Sequence, residues 1–178
     1  MGFDLTQKVV GRVWKFGDSV ESDAINPYYK YPKMEDLKLH TMEAYRPEFP
    51  KEVKPGDIIV AGRNFGCGSS RPGLVLREVG ISVILAETVS RLFLRNSIAR
   101  GIAIFMAPGI SNAVDDGQEL EVNYQGGEAT NLTTGQRIMI RKFPPLIENI
   151  FAAGGLVEVA RLRFVAEHPG AMIAASGK

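Results

Sequence analysis

The sequence predicts an α/β fold in which antiparallel strands and a C-terminal helix are added to a parallel βαβ core. Three short apolar runs alternate with segments of helical character, an order that is typical of parallel βαβ units. Short segments separated by turn residues follow from residue 119 onward, which is typical of antiparallel strands. A glycine pair then separates two apolar segments of helical character near the C-terminus.

The first half of the chain supplies the start of the parallel core. Residues 8–16 alternate apolar and polar side chains with a period of two, which predicts a strand ending at Gly17. A helix is predicted over residues 34–44, within a segment otherwise rich in tyrosine, proline and charge. Residues 58–61 are predicted as a buried strand, and residues 72–80 as a helix with proline in its first turn.

The second half completes the core and adds the antiparallel strands. A strand is predicted over residues 83–86, a helix over 91–100 that is closed by Gly101, and a strand over 102–106. Turn glycines separate three further strands, predicted over residues 119–124, 128–132 and 136–141. A helix over residues 146–153 precedes an amphipathic helical segment, 156–164, and a frayed tail, 171–178.

Composition limits the classes of protein. The 178 residues suit a single domain, 1–178, with its core at about residues 8–165. The 21 basic and 20 acidic side chains leave no net field that would attract nucleic acid. One cysteine cannot form an intramolecular disulfide, and alone it cannot supply a zinc or iron–sulfur ligand set. Because no continuous apolar segment is long enough for export or a membrane span, we expect a cytoplasmic protein without a membrane partner.

A glycine-rich segment, "GRNFGCGSSRPG" at residues 62–73, joins a predicted buried strand to a predicted helix. Ligands of open α/β sheets bind in this position, and free N–H groups at a helix N-terminus favour anions. Arg71 offers a planar fork for a carboxylate or phosphate, and the hydroxyls of Ser69 and Ser70 can donate, accept or transfer a proton. The alternative is a turn whose serines cap the helix and whose arginine is a solvated surface charge.

Five segments, in the same order, resemble the small subunit of 3-isopropylmalate dehydratase, which is similar to the swivelling C-terminal domain of aconitase. They are "GRVWKFGDSVESDAINP", "VAGRNFGCGSSR", "AETVSRLFLRNSIARGI", "NLTTGQ" and "AAGGLVE". The resemblance extends from about residue 11 to residue 158. It implies a swivelling β/β/α fold without a metal or cofactor of its own, and a separate large subunit that carries a 4Fe–4S cluster.

The resemblance also implies an activity and its residues. Together with its large subunit, and only with it, the chain is expected to dehydrate and rehydrate a 2-hydroxy dicarboxylate such as 3-isopropylmalate, as in leucine biosynthesis. Ser69 corresponds to the general base. The residues expected to bind substrate are Ser70, Arg71, Gly68 and Asn64.

Two further groups of residues follow from the resemblance. The specificity loop corresponds to Tyr28, Tyr29, Lys30 and Tyr31. Asp23, in "SDAINP", matches an acidic residue of the family and is expected to orient the active site or the interface, although a local Asx turn explains it nearly as well. Cys67 is interpreted as a small, buried thiol beside the loop rather than a nucleophile or a ligand.

Two departures from the family leave the substrate open. One is the segment of residues 28–33, where the family has its specificity loop and this chain offers aromatic rings and two lysines. The other lies in the glycine-rich segment. The usual Arg-Glu-His is here Arg71, Pro72 and Gly73, so 2-methylmalate, 2,3-dimethylmalate and homoaconitate stand beside 3-isopropylmalate. A hypothesis from a different class is a non-catalytic swivel module that binds an anion or a partner. Retention of Ser69, Ser70 and Arg71 favours the enzyme, because an interaction module does not need a proton-transferring group.

Overall fold

The computed structural model describes residues 4–69, 71 and 73–168, and these contain a seven-stranded mixed sheet of order β4-β3-β2-β1-β5-β6-β7. The strands are β1 (Val9–Phe16), β2 (Ile58–Ala61), β3 (Val83–Ala86), β4 (Ile104–Met106), β5 (Glu119–Asn123), β6 (Glu128–Asn131) and β7 (Arg137–Met139). Strands β1 to β4 are parallel, whereas β5 pairs antiparallel with β1 and continues into β6 and β7. The predicted parallel core with added antiparallel strands is confirmed.

Eight helices accompany the sheet in the described part of the chain. They are α1 (Ser22–Ile25), α2 (Met34–His40), α3 (Phe49–Glu52), α4 (Leu74–Glu78), α5 (Arg91–Ala99), α6 (Ile110–Ala113), α7 (Pro145–Ala153) and α8 (Leu156–Glu167). The short helices α1, α3 and α6 were not expected from the sequence, because four residues are too few to show a helical period.

The parallel part of the sheet is covered on both faces, which explains why β2 and β3 are apolar throughout. Ile58 and Val60 of β2 belong to one hydrophobic cluster, together with residues of α6, α7 and the antiparallel strands. Ile59 and Ala61 point to the opposite cluster, which includes side chains of α1 to α5. A strand buried on both sides needs apolar residues at every position, and all four residues of β2 are buried.

Helix α2 ends at His40, four residues before the predicted end at residue 44. The cause is a tertiary contact with α1. The Thr41 hydroxyl donates to the Ile25 carbonyl at 2.7 Å, and the Met42 N–H donates to the Ala24 carbonyl at 2.9 Å. Met42 also has a φ of 61°, which is incompatible with a continuing right-handed helix.

Other predicted elements are also shorter in the structure, and strand β7 spans Arg137–Met139 instead of residues 136–141. Helix α4 begins at Leu74 and ends at Glu78, whereas the prediction ran from 72 to 80, and Pro72 lies outside the described residues. Gly80 closes this segment with a φ of 98°, and its N–H donates to the Arg77 carbonyl. Strand β4 begins at Ile104 rather than at residue 102.

Helix α8 is longer and less amphipathic than predicted. It continues to Glu167, and none of its twelve residues is buried. Leu156, Val157, Leu162 and Phe164 each expose at least half of their surface. The apolar spacing of this segment therefore predicted a helix correctly but a buried face wrongly. The predicted tail, 171–178, lies outside the described residues.

Candidate active site

The carboxyl ends of β1 and β2 continue side by side beyond the strands and form the base of the site. The Ser19 N–H donates to the Arg63 carbonyl at 2.7 Å, and the Gly66 N–H donates to the Val20 carbonyl at 2.8 Å. The Ser22 N–H donates to the Cys67 carbonyl, also at 2.7 Å. This parallel pairing holds the start of α1 against the glycine-rich loop, which we define as residues 62–73.

The pairing brings a hydroxyl and a carboxylate together across 46 residues of sequence. The Ser69 hydroxyl donates to Asp23 Oδ1 at 2.6 Å. Asp23 is exposed and Ser69 is half-buried, so the pair lies where solvent or a ligand can reach it. The alternative interpretation of Asp23 as a local Asx turn is not needed, because its carboxylate has this partner on the loop.

A second serine, Ser22, completes the cluster, and its role was not expected from the sequence. Ser22 is fully buried, its hydroxyl donates to the Ser69 carbonyl at 2.8 Å, and its Oγ lies 3.1 Å from Ser69 Oγ. The signal that could have identified it is its position directly before Asp23, within one of the segments that resemble the dehydratase family.

Two glycines give the loop its path. Gly66 has a φ of 74°, and a Cβ at this position would lie 2.2 Å from the Cγ of Phe93, a buried ring of α5. Gly68 has a φ of 91° and little around it, with Ser22 Oγ 3.7 Å from where a Cβ would be. Glycine is therefore required at 66 by conformation and by space, and is favoured at 68 by conformation.

Arg71 lies against two rings of the predicted specificity loop. Its guanidinium carbon is 4.4 Å from the ring centre of Tyr28 and 4.3 Å from that of Tyr29. Such contacts between a cation and aromatic faces restrict the orientation of a long side chain. Both rings are exposed, at 45% and 82%, so the guanidinium is held at the surface rather than inside the core.

The other two residues of the predicted specificity loop have different neighbours. Tyr31 stacks on His40 of α2, with ring centres 3.7 Å apart and planes 4° apart. The Lys30 ammonium is 5.0 Å from the centre of the Tyr31 ring and is itself exposed. His40 also pairs with Glu43 at 2.7 Å, so its imidazole has two partners, the Tyr31 ring and the Glu43 carboxylate.

The remaining predicted residues lie along the loop. Asn64 is exposed at its start, with a φ of 59° and its N–H on the Thr88 hydroxyl. Cys67 is half-buried rather than fully buried, and its thiol lies 3.4 Å from the Ser19 carbonyl, a weak hydrogen bond. Ser70 lies outside the described residues.

The described residues contain neither a cluster of metal-binding side chains nor a helix that could span a membrane. No group of three His, Cys, Asp or Glu side chains within residues 4–69, 71 and 73–168 is placed to hold a metal ion. Over the same residues, no helix combines the length and the apolar character that a membrane crossing requires.

The fold and the site together define a class, an α/β domain in which a serine and an arginine on the loop after one parallel strand meet an aspartate that follows the neighbouring strand. The particular family follows from comparison with known proteins. The chain belongs to the aconitase C-terminal domain family, whose model matches residues 15–106. The resemblance found in the sequence is thereby confirmed.

Several relatives are similar over most of the chain. The isopropylmalate/citramalate isomerase small subunit of Methanocaldococcus jannaschii is 50% identical over 153 residues, which is 84% of this chain and 91% of the relative. The methanogen homoaconitase small subunit of Methanothermobacter thermautotrophicus is 43% identical over 151 residues, 83% of this chain and 87% of the relative. A crystal structure of 3-isopropylmalate dehydratase from Methanocaldococcus jannaschii superposes with a TM-score of 0.84 at 35% identity, covering 90% of this chain and 98% of that one.

Proposed function

We propose that this chain acts in the cytoplasm as the small subunit of a two-subunit hydro-lyase of the aconitase type, as a single domain. Its substrate is a 2-hydroxy dicarboxylate such as 3-isopropylmalate, which is dehydrated and rehydrated. The observation that carries the proposal is the 2.6 Å hydrogen bond between Asp23 of α1 and Ser69, which lies on the loop that also bears Arg71. A site that only bound an anion would gain nothing from a carboxylate beside its hydroxyl.

Ser69 is proposed to remove the proton from the substrate carbon next to a carboxylate. A neutral serine is a poor base, so its own proton needs a destination. Asp23 Oδ1 already accepts that proton as a hydrogen bond. As Ser69 Oγ bonds to the proton from carbon, its hydroxyl proton passes to Asp23. The electron pair of the broken C–H bond forms the carbon–carbon double bond while the C–O bond of the substrate hydroxyl breaks, and the hydroxide that leaves takes up a proton to become water. Hydration of the double bond reverses both transfers.

Arg71 is proposed to hold a substrate carboxylate. The guanidinium can form two parallel hydrogen bonds with it, and the contacts with Tyr28 and Tyr29 fix the direction of the fork before substrate arrives. Ser70, Gly68 and Asn64 are proposed to bind substrate beside it. Since Tyr28 and Tyr29 reach the carboxylate-binding residue directly, they are the part of the specificity loop expected to touch substrate first.

The large subunit is the proposed partner. In the dehydratases that the sequence resembles, its 4Fe–4S cluster supplies a Lewis acid that polarises the substrate hydroxyl and a carboxylate. The exposure of Asp23, Gly68 and Tyr29 supports a partner on this edge of the sheet, because a dehydration site needs protection from bulk water. The isolated chain is therefore expected to show no turnover.

Co-expression with the large subunit of the same genome, followed by anaerobic reconstitution, tests the proposal. The complex is assayed on 3-isopropylmalate, 2-methylmalate, 2,3-dimethylmalate and homoaconitate by the absorbance of the unsaturated acid. Ser69→Ala should lower kcat by about 100- to 10,000-fold with little change in KM, because a general base acts in the transition state.

Ser82→Ala is the matched control. The Ser82 hydroxyl also donates to backbone carbonyls, those of Gly56 and Asp57, but at the opposite edge of the sheet, before β3. The kcat of the reconstituted Ser82→Ala complex should stay within about twofold of the wild-type value. A reconstituted complex that turns over none of the four acids, or a Ser69→Ala complex with normal kcat, contradicts the proposal. Anion binding without turnover would indicate the non-catalytic module instead.

A further inference from the structure

Ser22 is a buried polar residue that the proposed reaction does not yet use. Its side chain has no exposed surface, and it is the first residue of α1. Its backbone N–H is held by the Cys67 carbonyl, which fixes its position against the glycine-rich loop. From there its hydroxyl reaches two atoms of the same residue, the carbonyl oxygen of Ser69 at 2.8 Å and Ser69 Oγ at 3.1 Å.

The protons of this cluster are fewer than its short contacts. Ser69 has one hydroxyl proton, which it donates to Asp23 at 2.6 Å. Ser22 also has one, which it donates to the Ser69 carbonyl. The 3.1 Å contact between the two Oγ atoms then has no proton of its own, and either oxygen can donate there only by giving up its other acceptor. Rotation of the Ser22 hydroxyl about its Cβ–Oγ bond is sufficient to place a proton there.

That rotation becomes favourable in the transition state, where transfer of the Ser69 proton to Asp23 runs ahead of the transfer from carbon and negative charge develops on Ser69 Oγ. A hydrogen bond to an anionic oxygen is roughly twice as strong as one between neutral groups. The Ser69 carbonyl loses its donor in the exchange, but it remains neutral. Because Ser22 is held in place by its backbone, the donor is already within reach and only the hydroxyl proton moves, which is the preorganisation that stabilises a charge during reaction.

We propose that Ser22 is a positioning residue that transfers its hydrogen bond from the Ser69 carbonyl to Ser69 Oγ as the latter becomes negatively charged. This inference rests on the proposed function, since it requires Ser69 to be the base. It adds a residue outside the glycine-rich loop, and it gives a buried serine a role besides attachment of α1 to that loop.

A pair of equal-sized variants tests this role in the reconstituted complex. Ser22→Thr keeps a hydroxyl, whereas Ser22→Val has the same shape without one. We expect kcat of Ser22→Val to fall by about 10- to 100-fold relative to Ser22→Thr, with KM within about threefold. Ser22→Ala should behave like Ser22→Val. The melting temperatures of Ser22→Thr and Ser22→Val should differ from each other by no more than the melting temperature of Ser82→Ala differs from that of the wild type.

The pH profile separates this role from mere attachment of the loop. Without the Ser22 donor, a negatively charged Ser69 is less stable, so the acidic limb of kcat against pH, on which the base loses its proton, should move to higher pH in Ser22→Val and not in Ser22→Thr. Equal kcat values and equal profiles for the two variants would overturn the inference while leaving the function of Ser69 intact. If the wild-type complex turns over none of the acids, or Ser69→Ala has normal kcat, the proposed function itself fails.

Discussion

Gly66→Ala should destabilise the protein more than an alanine at a glycine that also has a positive φ but has no neighbouring atom near an added Cβ. Its φ of 74° places alanine in the left-handed region, at a cost of about 1–2 kcal/mol. The new Cβ would also lie 2.2 Å from the Cγ of Phe93, which is fully buried. Either the Phe93 ring or the glycine-rich loop must therefore move, at a further cost of about 1–3 kcal/mol. We therefore expect the free energy of unfolding to fall by about 2–5 kcal/mol.

Gly109→Ala is the control, because it isolates the conformational cost. Gly109 has a φ of 92°, and no atom lies within 4 Å of its added Cβ, so a loss of about 1–2 kcal/mol is expected. Urea unfolding can be followed by the fluorescence of Trp14, the single tryptophan, which is buried. Phe93→Ala removes the two nearest atoms, Cγ at 2.2 Å and Cδ1 at 2.5 Å. Its combination with Gly66→Ala should therefore cost less than the sum of the two single losses, whereas its combination with Gly109→Ala should cost the full sum. Equal destabilisation by the two alanines would refute the steric argument.

Two further predictions concern single hydrogen-bonding groups. Arg71→Lys keeps the charge but loses the fork, so KM of the reconstituted complex should rise about 10- to 100-fold with some loss of kcat, and an unchanged KM would remove Arg71 from the substrate site. Burial, opposed by the hydrogen bond from the Phe143 N–H and reinforced by Glu148, raises the pKa of Tyr124 to about 12. Since the folded pKa is above the unfolded value of 10.0, this stabilisation is complete below pH 10 and is lost as the pH rises towards 12. Urea titrations of Tyr124→Phe should therefore show a smaller loss of stability at alkaline pH than those of the wild type. An equal loss in both proteins would contradict this assignment.

The sequence by itself determined the parallel core and the family. The apolar runs of β2 and β3 predicted both strands at their observed bounds, because a strand buried on two faces has to be apolar at consecutive positions. Helix α5 ended one residue before its predicted end, and Gly101 follows it with a φ of 66°. These features depend on neighbours within a few residues, so local patterns carry them. The family was recognisable for a different reason, since its segments occur in a fixed order along the chain.

Only the tertiary structure decided which side chains act together. Ser69 meets Asp23 and Ser22 because the continuations of β1 and β2 pair with each other across 46 residues, a contact that no local pattern encodes. The contact of Arg71 with Tyr28 is likewise non-local. Helix α8 shows the reverse case, because its predicted amphipathic spacing implied a buried face, whereas none of its residues is buried in the described part of the chain. Periodicity reports what a segment could bury, whereas burial and hydrogen bonding depend on what the rest of the chain brings to it.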